Sequence, residues 1–322
     1  MSIPLYILKR ILQSIPLLIL VSIFSFFIIR MSPIDPLSEL KLNPAISAAT
    51  LKAEEQRLGL HLPLYKQYFK WAGSFVRGDF GVTTAGEKVS DKLKERIPNT
   101  LLLTIITILF TWVVGIPLGI YAALNWRKPI DRIITVFTSV GMAIPSFFFA
   151  LLLLVFAVKT GWFPVGGLTS PGFSNMNWFF KILDISHHLF LPVLVLFTLS
   201  LASLQRQMRG NLLDVLESDY IKLARAKGLS ENTVVYKHAL INAINPMITL
   251  IGFEFAGLLS GAALTEYVFQ YPGLGRLVLE AVLKSDINLV MASLMIGSIM
   301  LIAGNLIGDI LLKSVDPRVV ME

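Results

Sequence analysis

The chain has 322 residues, of which 55% are hydrophobic and only 15% charged, with a formal net charge of +7. A soluble domain carries about a quarter of its residues as charges, so this composition excludes an ordinary soluble protein and points to a polytopic helical membrane protein. The chain holds no cysteine, which excludes disulfides, a thiolate nucleophile and a cysteine metal site; its positive charge needs no nucleic acid, because basic residues on the cytoplasmic side of a membrane protein account for it.

The first apolar run, Ile11–Ile29, follows Lys9 and Arg10, as the core of a signal peptide would. It is longer than such a core and ends without a small-x-small cleavage site, so it reads as a retained helix. Five further apolar segments follow: Leu101–Leu124, Ile133–Val158, His188–Leu204, Pro246–Val268 and Leu289–Leu312. They reach or approach the roughly 20 residues that cross a bilayer. With the N-terminus inside, the inner segments hold 13 Lys and Arg and the two short outer loops hold 4. The segment 30–99 carries the other 11 but is too long for the charge rule to count. The bias places both termini in the cytoplasm.

The stretch 32–98 is amphipathic and mixed in charge, with candidate short helices over Ser47–Leu58 and Leu64–Arg77. Tyr65, Tyr68, Phe69, Trp71 and Phe75 are too many aromatics for a loosely ordered loop, so an ordered extracytoplasmic cap is expected. Pro117 in the second span and Pro145 in the third each remove a backbone donor and can kink a helix. At Ala143-Ile144-Pro145-Ser146 two readings stand. One is a pivot beside a water-lined pathway that satisfies the freed carbonyl; the other is a static kink.

Between the fourth and fifth spans lies a polar, basic stretch, Ser218–Pro246. It reads as two short helices with a sharp corner. Asp219 or Ser218 can cap the first helix and Gly228 can end it in the left-handed conformation. Ser230 can then cap the second, with Glu231 in its first turn, where the helix dipole favours negative charge. Tyr220, Leu223, Ala224 and Lys227 fall on one face of the first helix, fringed by Lys222 and Arg225. Such a helix can insert into a cleft on a soluble partner; a solvated loop helix is the alternative. The fifth span carries Gly252, Ala256 and Ser260 at four-residue spacing, with Gly257 and Gly261, and is expected to pack closely on another helix, in this chain or in a partner. Within it, Glu254 is an ionisable group at membrane depth, facing either a cavity or a neighbouring helix. Pro272-Gly273 marks a turn, and Leu274–Leu283 reads as a short amphipathic helix on the outer surface.

These residues carry a resemblance. Tyr220, Ala224, Arg225, Ala226, Lys227, Gly228 and Leu229 resemble the coupling loop of ABC importer permeases in the form found in peptide permeases. The general Glu-Ala-Ala is not literally present, since Lys222 and Leu223 precede Ala224, and Pro246 falls farther on than in the general motif. Ser32-Pro33-Ile34-Asp35-Pro36 resembles the family's Pro-Gly-Asp-Pro, with Ile34 in place of Gly. Leu58-Gly59-Leu60-His61-Leu62-Pro63-Leu64, Gln67-Tyr68, Trp71 and Gly78-Asp79-Phe80-Gly81 follow the pattern that marks the B-type subunit. Glu266, Phe269, Pro272-Gly273-Leu274-Gly275-Arg276-Leu277 and the ending Asp316-Pro317-Arg318 also agree. Glu254 departs from the family, where an uncharged polar residue is common.

The resemblance implies an all-α membrane protein with six transmembrane helices of the type I ABC importer permease fold and an extracytoplasmic insert between the first two. On this reading 1–31 is the tail and first helix, 32–98 the cap, and 99–322 a five-helix core containing the coupling loop 209–245. It implies a prokaryotic inner or plasma membrane and a second, paralogous permease subunit. It also implies two cytoplasmic ATPase subunits that hold ATP and Mg, and an extracytoplasmic substrate-binding protein. The ATPase-coupling residues would be Tyr220, Leu223, Ala224, Arg225, Ala226, Lys227 and Gly228; Glu254, Pro145 and Ser146 would border the substrate pathway. Di- or oligopeptides are the expected cargo, with nickel or another small solute as the alternative.

No P-loop, His-Glu-x-x-His or Gly-x-Ser-x-Gly occurs, so the chain is expected to carry no ATPase or hydrolase chemistry. His187-His188 is an adjacent pair whose rings diverge on a helix, favouring an interfacial or capping role over a metal site. The competing class is an ion-coupled secondary transporter. Glu254 favours it and the lack of an internal repeat opposes it; dependence of uptake on an ATPase subunit separates the two.

Overall fold

The computed structural model describes residues 3–31, 37, 41 and 47–315, and every described element is helical apart from one isolated bridge, Val82 to Lys88. The elements are α1 (Ile3–Met31), α2 (Ala48–Leu58), α3 (Leu64–Val76), α4 (Val89–Leu124), α5 (Pro129–Ala143) and α6 (Ser146–Thr160). They continue with α7 (Trp178–Leu216), α8 (Asp219–Ala226), a π turn over Thr233–Ala239, α9 (Leu240–Val268), α10 (Leu274–Leu283) and α11 (Ile287–Val315). Among the described residues, four helices are long and apolar enough to cross a membrane: α1, α4, α7 and α11. Two bent pairs bring the number to six if each is one span.

The long helices α4 and α7 form the axis of the bundle. Their contact is set by glycine: a Cβ on Gly119 would lie 2.6 Å from Met208 Cβ and 2.8 Å from the Gln205 carbonyl oxygen. Gly115, one turn earlier, meets Leu204 in the same way. Small residues one turn apart let two backbones approach where lipid supplies no drive to associate. The small-residue stripe of α9 does the same against α11, since a Cβ on Gly252 would lie 3.1 Å from Asn305 Cα, and Gly308 comes equally near Gly252. The helix partner of this stripe is therefore in the same chain. The Ser260 and Gly261 positions lie outside the described side chains.

Two apolar clusters mark the ends of the bundle. Val89 and Leu93 at the start of α4 pack with Leu274, Leu277 and Leu289, joined by Ile29 and Phe80. Ala123 at the other end of α4 packs with Leu212, Ile221, Val234 and Ala239. A 36-residue helix separates them by about 50 Å.

Several expectations change. The third span is broken: α5 and α6 meet at 92°, with Ile144 extended (φ −88°, ψ 125°) and Pro145 opening α6. Proline disfavours helical geometry in the residue before it, and here nothing restores it. Pro117 has no such effect, because α4 runs on through it and through Pro98. Helices α1, α4 and α7 begin earlier than their apolar runs, and α7 extends to Leu216, since polar turns extend a helix beyond its apolar part. The cap helices fall where expected, with Ser47 capping α2 by accepting from Thr50 N at 3.1 Å. Helix α10 occupies Leu274–Leu283, with Leu274, Leu277 and Ala281 buried. The motifs 32–36 and 316–318 lie outside the described residues.

Gly119→Val should lower stability by about 1–3 kcal/mol, because the Gln205 carbonyl cannot move aside. The midpoint of thermal unfolding in detergent checks this; an unchanged midpoint would mean that α4 and α7 are not in such contact.

Candidate functional site: the polar corner and the intramembrane carboxylate

The corner is anchored by one residue. Ile221 of α8 is fully buried among Met208, Leu212, Val234 and Ala239, and Ala224 is packed partly against the same cluster. With that side turned inward, Tyr220 and Leu223 are left 45% and 56% exposed, beside exposed Lys222, Arg225 and Lys227. Ser218 precedes the helix but does not cap it; its hydroxyl donates to the Val215 carbonyl at 2.6 Å. Asp219 lies in the first turn and pairs with Lys222 at 3.0 Å. Gly228 ends the helix at φ +79°, a conformation that costs a Cβ-bearing residue about 1–2 kcal/mol. Ser230 Oγ then accepts from Thr233 N at 3.4 Å.

Arg225 closes the corner with a fork on Glu231, Nη2 to Oε1 at 2.6 Å and Nε to Oε2 at 3.1 Å. The arginine holds the Glu231 carboxyl below its ordinary range. Its contribution is therefore present above the unfolded carboxylate range and lost as pH falls through the lowered value. The second segment is not an ordinary short helix: it is a π turn over Thr233–Ala239 that runs directly into α9. Asn242 on α9 donates to the Tyr220 hydroxyl at 3.0 Å and to the His238 carbonyl at 2.9 Å. A second polar clasp lies near this end, where Arg209 of α7 grips buried Asp131 of α5 at 2.7 and 2.8 Å. The two are 78 residues apart, and only the position of Asp131 in the first turn of a helix hinted at a role.

Inside the bundle, Glu254 Oε2 accepts from Trp112 Nε1 at 2.7 Å. The carboxylate also lines a cavity of about 320 Å³ with Ser200, Ser203 and Gln207 of α7. Glu254 is thus both bonded to a neighbouring helix and among the residues that border a cavity. Pro145 and Ser146 sit at the break between α5 and α6 and do not line it. The histidines diverge, His187 Nε2 to the Trp162 carbonyl at 2.8 Å and His188 Nδ1 to the Asp184 carbonyl at 2.9 Å.

Sequence reasoning noted Glu266 within a motif but not what it does. It is fully buried and accepts from Thr100 Oγ1 at 2.9 Å and from Arg276 N at 2.9 Å, at the N-terminus of α10. Thr100 Oγ1 in turn accepts from Leu274 N at 2.7 Å, and Tyr271 donates to the Asn99 carbonyl at 2.7 Å. Gly273 has no Cβ because the Glu266 carboxylate occupies that space. Thr100→Val should cost about 1–3 kcal/mol by stranding the Leu274 N–H and one Glu266 oxygen. Thermal unfolding reads this out. Arg225→Gln should cost less than about 1 kcal/mol, since the Arg225–Glu231 pair is exposed, while increasing hydrogen exchange across 219–234. Unchanged exchange there would show that the pair does not hold the corner.

Comparison with known proteins shows the family. Residues 115–321 match the family described as binding-protein-dependent transport system inner membrane component, and residues 4–104 match its membrane component N-terminal family. The chain is 42% identical over 317 residues to the oligopeptide transport system permease protein AppB of Bacillus subtilis, covering 98% of each. It is 35% identical over 316 residues to the glutathione transport system permease protein GsiC of Escherichia coli, again covering 98% of each. Its fold is similar to a chain of the MetNI methionine ABC transporter in inward-facing conformations, with a TM-score of 0.57 at 17% identity, covering 70% of this chain and 96% of that one. The chain belongs to the inner membrane components of binding-protein-dependent transport systems, as a multi-pass permease subunit and not an enzyme.

Proposed function

We propose that the chain is the B-type permease of an ATP-driven importer of di- or oligopeptides, forming half of the path beside a paralogous permease. The observation that carries the coupling role is the corner helix α8. Its one buried anchor, Ile221, leaves Tyr220 and Leu223 exposed on a short helix ended sharply at Gly228. A helix laid into a groove is a recurring way to join two proteins. Tyr220, Leu223, Ala224, Arg225, Ala226, Lys227 and Gly228 would sit in a cleft of a cytoplasmic ATPase, one of two that hold ATP and Mg. Movement of that cleft would reach α7 through Ile221 and α9 through the π turn. Nucleotide would then bias the bundle between inward- and outward-open states.

The same reading includes six spans of the type I ABC importer permease fold, with each bent pair counted once. Both termini and the loop 209–245 lie in the cytoplasm of a prokaryotic cell, and the cap 32–98 faces an extracytoplasmic binding protein. The basic inner segments support this orientation. The relatives belong to oligopeptide and glutathione transport systems, which supports a peptide cargo. Glu254 would attract the cationic end of that cargo from its cavity, with Pro145 and Ser146 as a pivot outside it.

In vesicles with all subunits, Ala224→Asp and Gly228→Val should each reduce ATP-dependent uptake to background while the chain still assembles; full uptake in both would remove the corner from coupling. Glu254→Gln should slow uptake about tenfold, the worth of one charged hydrogen bond, without loss of assembly. An unchanged rate would take Glu254 out of the pathway. Mass spectrometry of the ligand on the co-purified binding protein should find short peptides; a chelated metal there would keep the importer and discard the cargo.

A further inference from the structure

Glu254 is the middle residue of α9 (Leu240–Val268), and among the described residues lining its cavity it alone is charged. Across the cavity stands a polar row on α7, Ser200, Ser203 and Gln207. Ser203 and Gln207 are exposed, and so is Arg206 between them. Lipid cannot satisfy such groups, so this face of α7 meets water or protein. Gln207 Nε2 donates to Ser203 Oγ at 3.2 Å. That bond leaves the amide oxygen to accept and the serine O–H to donate; with the amide turned over, the same two roles exchange between the residues. Either way the pair presents one donor and one acceptor side by side, the complement of a peptide bond.

Arg206 brings the opposite charge to the same level. It lies within one turn of Ser203 and next to Gln207, both of which line the Glu254 cavity. Arg209, one turn farther on, grips Asp131 in the first turn of α5. Arg206 instead reaches Met142 in the last turn of α5, Nη2 to Sδ at 3.6 Å. An arginine snorkelling out of the bundle beside Arg209 would turn toward the Asp131 end; this one turns toward the break at Pro145. A thioether is a weak acceptor, so the guanidinium keeps its capacity for a carboxylate. Arg206 and Glu254 are not bonded to each other, since the described bonds of Glu254 go to Trp112. Two opposite charges at one depth thus flank a donor–acceptor pair.

We propose that this row binds the cargo by its main chain: the peptide ammonium on Glu254, a peptide bond on Ser203 and Gln207, and the terminal carboxylate in a two-bond fork on Arg206. The permease itself then selects short linear peptides with both ends free, separately from any selection by the binding protein. This rests on the peptide reading of the cargo and on Glu254 as the site of its amine.

The test uses the complex purified by a tag on this chain, with the subunits that accompany it and without the binding protein. Saturation-transfer NMR follows the binding of trialanine, its N-acetyl form and its C-terminal amide, whose side chains carry no charge of their own. The wild type should bind trialanine about tenfold more tightly than either blocked form. Arg206→Gln should remove the preference over the amide and keep that over the acetylated peptide; Glu254→Gln should do the reverse. Arg206→Lys, which keeps the charge but not the fork, should show a smaller preference over the amide than the wild type, and it carries the test if the glutamine variant does not assemble. A merely structural role would weaken all three ligands alike. That result, preferences unchanged in the variants, or no binding of trialanine at millimolar concentration overturns the proposal. Uptake by the whole importer separates it from the cargo reading: trialanine carried by a complex that fails these tests leaves the peptide importer standing and removes the row from recognition, whereas uptake of no peptide removes both.

Discussion

Lipid gives two packed helices no hydrophobic reason to stay together, and every buried polar group must find its partner inside the bundle. The first demand is met at the contact between α4 and α7, where Thr104 Oγ1, Thr111 Oγ1 and Gln205 Nε2 nonetheless stay buried without a hydrogen-bond partner. Gly115 and Gly119 bring the backbones close enough for dispersion to hold them along the middle. Polar clasps then fix the neighbours at the ends. Glu266 with Thr100 pins the α9–α10 turn to the N-terminal third of α4, and Asp131 with Arg209 pins α5 to the C-terminal part of α7. Each clasp joins elements distant in sequence, so the ends cannot shift independently of the axis.

The two ends are built differently, and the proposed mechanism depends on that difference. Glu266 is fully buried, and its partners include backbone N–H groups that cannot move away. In the corner, α8 rests on one fully buried apolar anchor and an exposed arginine–glutamate pair, and a π turn follows it. Exposed ion pairs contribute little, and π turns interrupt the regular ladder, so the corner is the part of the bundle that an external protein can displace at small cost. A lever needs a soft grip and a stiff shaft. The continuous 39 residues of α7 supply the second.

Much of this was legible in the sequence because its signals are local. Apolar runs marked the long helices α1, α4, α7 and α11, Gly228 and Ser230 marked the corner, Ser47 the start of α2, and Pro272-Gly273 the turn before α10. What escaped depends on contacts between distant residues. Nothing near Glu266 announces that Thr100 awaits it 166 positions away, nor does Arg209 announce Asp131. Pro117 and Pro145 look alike in sequence, yet one is carried through a helix packed along α7 and the other ends a helix at a right-angled break. The surrounding packing, not the proline, decides between them. The π turn left no trace in composition, since it differs from an α-helix only in where the ladder closes.

The two family matches divide the chain between residues 104 and 115, inside α4. That helix is uninterrupted there, so the division is not a hinge. The N-terminal part is instead attached by its margins. Tyr6 donates to Asp309 at 2.8 Å, with Arg10 on both, and Ser22 bonds the Tyr68 hydroxyl at 2.8 Å. Phe26 continues that contact with Tyr68 and Trp71, and Asp286 joins Thr84 N at 2.8 Å to the start of α11. Most of the remaining face of α1 is exposed and apolar, which suits lipid. Helix α1 packs along α11 as well as being tied at these points, so it follows α11. The N-terminal region can thus move with the core as one body through α4, while its exposed face adapts to the surrounding membrane.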